Sequence, residues 1–129
     1  LPLSQRLLAC CHYVNQGDRV ADIGCDHGYL GIHLLKTGVA QSVIASDINE
    51  QPLHSAMVNA LKFGVRDRMR FYLSNGVADI PRDFDTLVCA GMGGPLMMKI
   101  LTEKISMNMA NLIQKVMKIQ LTNIVAVVE

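Results

Sequence analysis

A chain of 129 residues, half of them hydrophobic and 18% charged, has the balance of one folded domain rather than a disordered segment. Twelve basic residues against eleven acidic leave a net charge of +1, which excludes a generally polybasic nucleic-acid binder. Apolar runs break at charge or glycine well before the ~18 residues a membrane span needs, and no basic stretch leads into an apolar segment at the start.

In chain order, residues 4–14 read as a helix, with Ser4 as its cap and Leu7, Leu8, Cys11 and Val14 at helical spacing. Asn15-Gln16-Gly17-Asp18 is a turn, and 19–24 a short strand running into Gly24. A helix over 29–36 ends at Thr37-Gly38, where glycine can close its last turn. Residues 42–47 form a second buried strand, and 51–63 a second long helix with Pro52 in its first turn. Strands follow at 69–73 and 85–90, then helical patterns at 95–104 and 105–120 and a last strand at 123–128. Near-continuous apolar strands separated by helices predict an α/β fold with a mostly parallel sheet and helices on both faces.

Cys10, Cys11, Cys25 and Cys89 contain no CxxC pair, and His12, His27, His33 and His54 do not complete a zinc pattern with them. No metal site is expected, and a reducing, cytoplasmic setting is the simplest account of the cysteines. Lys62, Arg66, Arg68 and Arg70 make the one local basic excess, either a phosphate contact or an ordinary solvated face.

Chemistry concentrates where strands end. Open α/β sheets bind ligands beyond the carboxyl ends of their strands, and each predicted strand-end loop here carries something usable. Gly24, Asp26, His27 and Gly28 follow the first strand, Asp47 ends the second, Ser74-Asn75-Gly76 follow the third, and Gly91-Met92-Gly93-Gly94 the fourth. A dinucleotide G-x-G-x-x-G starting at Gly24 would need glycine where Asp26 and Tyr29 stand. The methyltransferase form, an acid followed by x-G-x-x-x-G, is met by Asp22, Gly24 and Gly28. A tight strand-to-helix turn without ligand is the bland alternative. Glycine lets the backbone approach a ligand closely, and the helix behind it offers N–H groups to the carboxylate of S-adenosyl-L-methionine (AdoMet).

Asp47, 25 residues beyond Asp22, can accept from both ribose hydroxyls, a feature shared with nicotinamide enzymes. Asn75 can read an adenine edge, or with Gly76 simply form a turn. The glycines at 91, 93 and 94 clear space for an acceptor, with Met92 as wall or participant. Asp26 can favour a sulfonium cation or bond an exocyclic amine, and His27 can act as a base or tie down the loop.

Three segments are more specific than a generic fold signal: Ala21-Asp22-Ile23-Gly24-Cys25-Asp26-His27-Gly28-Tyr29-Leu30, Ala45-Ser46-Asp47-Ile48 and Ala90-Gly91-Met92-Gly93-Gly94. With the opening Leu3-Ser4-Gln5-Arg6-Leu7, the chain resembles the bacterial tRNA (adenine(22)-N1)-methyltransferase family over residues 3–103. The resemblance implies a Rossmann-like class I methyltransferase fold, with residues 1–129 as an AdoMet-binding domain that methylates N1 of an adenine in tRNA. The candidate cofactor-binding residues are Asp22, Gly24, Asp26, His27, Gly28, Tyr29, Asp47, Ile48, Asn75, Gly76, Ala90, Gly91, Met92 and Gly93. By the resemblance Gly24, Asp26 and Gly28 line the donor, Asp47 takes the ribose, Asn75-Gly76 the adenine, and Ala90 to Gly93 face the target base. Asp26 is the candidate catalytic residue, polarising the N6 amine of the target adenine.

Two departures stand out. The family often has Glu at the position of Asp47, and after its fourth strand it continues with a strand ending Gln-Pro-Asn and a helical C-terminal domain. Neither follows here, so the sheet is expected to be incomplete at its C-terminal end, with 124–129 resembling the last strand of the family's core. Competing readings are a class I methyltransferase acting on a small molecule or protein, and a non-catalytic AdoMet-binding module. The oligomeric state stays open.

Overall fold

The computed structural model describes residues 1–90 and the backbone of 123–126. Helix α1 (Gln5–Cys11) starts at Ser4, whose Oγ accepts from the Leu7 N–H at 3.2 Å. It ends three residues earlier than the apolar spacing predicts, because His12 and Tyr13 turn the chain toward β1 (Asp18–Ile23). The turn is fixed by Asp18, whose Oδ2 accepts from the Asn15 N–H at 3.0 Å and the Thr86 hydroxyl at 2.6 Å.

Helix α2 (Tyr29–Lys36), β2 (Ala40–Asp47), α3 (Glu50–Lys62), β3 (Met69–Leu73) and β4 (Thr86–Cys89) follow, and β5 (Asn123–Ala126) closes the described sheet. The strand order is β3-β2-β1-β4-β5, every neighbouring pair parallel. After β3 the chain returns to the other side of β1, so the order reverses between β1 and β4, the place where such sheets bind ligands.

β5 corrects one expectation. Residues 123–126 pair in parallel with β4, Thr86 opposite Asn123 and Cys89 opposite Ala126, and so stand in a fifth strand's place rather than a last one's. The predicted helices over 95–104 and 105–120 lie outside the described residues.

Pleating sends alternate residues to opposite faces. Val20, Val43 and Ala45 join Leu30, Leu34, Ala56 and Ala60 in a core between the sheet and the helices. Ala21, Ile23, Ile44 and Leu87 face the other way, under Val77, Ile80 and Phe84 of the β3–β4 connection. Helices on both faces were predicted; among the described residues the long helices cover one face.

Gly31 is where α2 meets the sheet most closely. A Cβ there would stand 2.8 Å from Val43 Cγ1 and 3.4 Å from Met69 Cε. Gly31→Ala is therefore expected to destabilise by about 1–3 kcal/mol through overpacking, despite the ~1 kcal/mol that alanine gains in a helix interior. In a Val43→Ala background the same change should stabilise. Urea unfolding of the four proteins reads this reversal of sign; simple additivity would mean that the two residues do not touch.

The basic cluster is absorbed by the fold. Arg66 donates to the Met69 carbonyl and lies over the Phe71 ring, Arg68 reaches the Leu35 carbonyl, and Arg70 pairs with Asp83 at 2.8 Å. Arg66–Arg68 precede the amino end of β3, at the opposite end of the sheet from the strand-end loops.

Candidate functional site

At the carboxyl ends of the strands lies a cavity of about 450 Å³, within the ~300–1,000 Å³ range usual for small-molecule sites. Its wall collects Asp22, Gly24, Asp26, His27 and Tyr29 from the first loop, Asp47 and Ile48 from the second, Asn75 and Gly76 from the third, and Ala90 from the fourth. Gly28 does not line it. That residue begins α2 at φ +78°, and a Cβ on it would stand 2.9 Å from Ala56 Cβ, so its smallness serves the contact between α2 and α3. Gly91, Met92 and Gly93 lie outside the described residues.

Asp47 is the hub. Its Oδ2 accepts from the Asp26 N–H at 3.2 Å and its Oδ1 from the Asn49 N–H at 3.0 Å. Each oxygen keeps further acceptor capacity for a ligand hydroxyl. The first loop is anchored to the same strand, the Gly24 and Cys25 N–H groups both donating to the Ser46 carbonyl. Gly24 at φ +72° and Asp26 at φ +52° bend the loop around the cavity, and Asp26 alone among the described non-glycine residues has positive φ.

Behind Asp47 lies Asp22, 3% exposed. Burial pushes its carboxyl up to about 7, and the neighbouring Asp47 and then Asp26 carboxylates add to the shift. Burial also raises the Cys25 thiol, with Asp22, Asp47 and Asp26 contributing, so this cysteine is a wall rather than a nucleophile. Asp26 holds its carboxylate at the rim, mostly exposed, with His27 Nε2 at 3.7 Å. Ser74 braces the third loop: its hydroxyl donates to the Gly76 carbonyl and accepts from the Asp79 N–H, both at 3.0 Å. Among the described residues, no cluster of His, Cys, Asp or Glu has the makings of a metal site.

Several lining residues escape the sequence reading: Arg6 and Leu7 of α1, Cys25, Leu30, Asn49 and Pro52. Arg6 brings the cavity a guanidinium from a helix that precedes β1. Its only sequence signal is its place in Leu3-Ser4-Gln5-Arg6-Leu7; nothing local says that α1 reaches the strand ends.

The sequence pattern of the family described as "Methyltransferase domain" matches residues 3–123. The tRNA (adenine(22)-N(1))-methyltransferase of Bacillus subtilis (strain 168) is 34% identical over 102 residues, 78% of this chain and 43% of that protein. A Ribosomal protein L11 methyltransferase of Enterobacter sp. (strain 638) is 40% identical over 81 residues, 63% of this chain and 27% of that protein. Among solved structures, Sp1610 of Streptococcus pneumoniae in complex with S-adenosyl-L-methionine superposes with a TM-score of 0.77 at 32% identity, covering 92% of this chain and 52% of that one. The chain thus spans about half the length of these proteins or less. The fold is the Rossmann-like class I methyltransferase fold, as the strand-end motifs predict. With the family pattern running from α1 into β5 and all the described strand-end loops meeting at one cavity, the chain belongs to the methyltransferase-domain family.

Proposed function

We propose that residues 1–129 form the AdoMet-binding domain of a tRNA methyltransferase that modifies N1 of adenine 22. The observation that carries this reading is the convergence of three strand-end loops and of Ala90, at the end of β4, on one cavity, with the doubly bonded Asp47 carboxylate in its wall. The residues fit AdoMet: Asp47 can take the ribose hydroxyls, Asn75 and Gly76 the adenine, and the first turn of α2 the methionine carboxylate. Similarity to the Bacillus subtilis enzyme over 102 residues supports the choice of acceptor, and the reading places the protein in a bacterial cytoplasm, where tRNA is modified.

AdoMet, when bound, supplies an electrophilic methyl group on a sulfonium cation. This chain's residues orient the acceptor and tune charge around it. N1 of adenine already carries a lone pair, so no strong base is required to make the nucleophile. Asp26, at the cavity rim, accepts a hydrogen bond from the N6 amine, which aligns the ring and stabilises the positive charge that develops on it. Asp22, Asp26 and Asp47 together favour a cationic ligand.

Likeness to L11 methyltransferases supports a second reading, a protein acceptor. Calorimetric titration with AdoMet, with NAD as control, followed by transfer of tritiated methyl from AdoMet to tRNA and to L11, tests both. The expected result is binding of AdoMet alone and label in tRNA as N1-methyladenine. Label in L11 but not tRNA would replace this reading with the second, and binding of NAD instead of AdoMet would overturn both.

A further inference from the structure

The candidate catalytic loop is held from two sides, and only one of them belongs to the cavity. On the cavity side the Asp26 N–H donates to Asp47 Oδ2 at 3.2 Å. On the other side stands α3, whose Ser55, Ala56 and Asn59 fall on one face of the helix. All three touch the loop. Ser55 Oγ meets His27 Nδ1 at 3.0 Å, Asn59 Nδ2 donates to the His27 carbonyl at 2.9 Å, and Ala56 abuts Gly28.

Asp26 needs such a hold. Its φ of +52° lies in the left-handed region, which favours glycine and which aspartate tolerates better than most side chains but still at some cost. Its side chain is 72% exposed and lies 3.7 Å from His27 Nε2, so the backbone sets where the carboxylate points. The backbone in turn is fixed between Asp47 and α3.

We infer that Asn59 and Ser55 are positioning residues for the methyl-transfer reaction: they clamp His27 and thereby hold the Asp26 carboxylate at the rim where the acceptor arrives. The inference rests on the role given to Asp26 under Proposed function. It makes the donor character of Asn59 essential. Asparagine donates its amide hydrogen to the His27 carbonyl, whereas an isosteric aspartate can only accept and would set a carboxylate against that oxygen.

The test uses the chain with Asn59→Asp, Asn59→Gln, Ser55→Ala and Asp26→Asn. Amide hydrogen exchange over residues 24–28 reports the loop, and single-turnover and steady-state methyl transfer to tRNA report the reaction. Asn59→Asp should speed exchange at Asp26 and Gly28 by ~10-fold or more, as expected when a local hold is lost. It should also lower kcat by roughly 10–100-fold, the penalty of a misplaced group, with KM for tRNA changed less than about twofold. Asn59→Gln, which keeps the donor, should recover most of both, and Ser55→Ala should show smaller changes in the same direction.

Unchanged loop exchange in Asn59→Asp and Ser55→Ala would overturn the clamp. So would faster exchange with kcat intact. Should Asn59→Asp fail to fold, Ser55→Ala carries the same readouts. Asp26→Asn separates the two ideas. Full activity in that variant would remove the catalytic role of Asp26, whereas a slow Asp26→Asn beside a normal Asn59→Asp would remove the clamp and leave Asp26 in place.

Discussion

Asp47→Ala is expected to weaken AdoMet binding by ~10²-fold or more. Two ligand hydroxyls bonded to a charged acceptor contribute about 1.5–3 kcal/mol each, and every ~1.4 kcal/mol is tenfold in affinity. The substitution also strips the Asp26 and Asn49 N–H groups of their acceptor, so the loop that lines the cavity loosens as the carboxylate disappears. Asp47→Asn should fall between alanine and the parent, because its carboxamide can accept from one of these N–H groups but presents its own N–H to the other. Calorimetry well below the melting temperature, with circular dichroism to verify the fold, checks this. Binding within about threefold of the parent would remove Asp47 from the site.

The second large effect is on pH. The Asp22 carboxyl has an ordinary value of 3.8 and is held near 7 in the fold, chiefly by burial and then by Asp47 and Asp26. A carboxyl raised in the folded state binds more protons there than in the unfolded chain, so its contribution to stability falls as pH rises between the two values. The contribution is complete below about 4 and gone above about 7. A shift of that size corresponds to roughly 4 kcal/mol, as an order of magnitude. Asp22→Asn removes the titration. The variant should match the parent near pH 4 and exceed it in stability near pH 8, read as the difference between their melting temperatures across the range.

The same carboxylate makes a prediction about ligand charge. A sulfonium cation favours ionised Asp22, whereas the neutral thioether of S-adenosylhomocysteine does not. The preference for AdoMet over S-adenosylhomocysteine should therefore widen as pH rises through about 7, and stay flat in Asp22→Asn. A stability profile identical for parent and variant would show that Asp22 does not titrate in this range.

The basic residues around the α3–β3 connection illustrate what local reading leaves open. Along the chain Lys62, Arg66, Arg68 and Arg70 could be either a phosphate contact or an ordinary solvated face, and parallel pairing of β3 with β2 puts this segment at the amino ends of the strands, away from the cavity. There Arg66, Arg68 and Arg70 serve Met69, Leu35 and Asp83.

What the sequence determined by itself is local and periodic. The runs around Val20, Ile44, Phe71 and Leu87 identify parallel strands, because a strand covered on both faces must be apolar throughout. Gly24, Asp26 and Asp47 point to a strand-end site, because a tight turn needs glycine and a carboxylate at a strand end is poised to accept hydrogen bonds from a ligand there. Tertiary structure alone decided the rest. It brought Arg6 to the cavity from a helix that precedes β1, assigned Gly28 to helix packing rather than to the cavity wall, and set β5 beside β4. It also drew Ser55 and Asn59 against the first loop, 28 and 32 residues from His27. Such contacts arise when helices dock on a twisted sheet, and the period of a helix records which face is apolar but not what that face will meet.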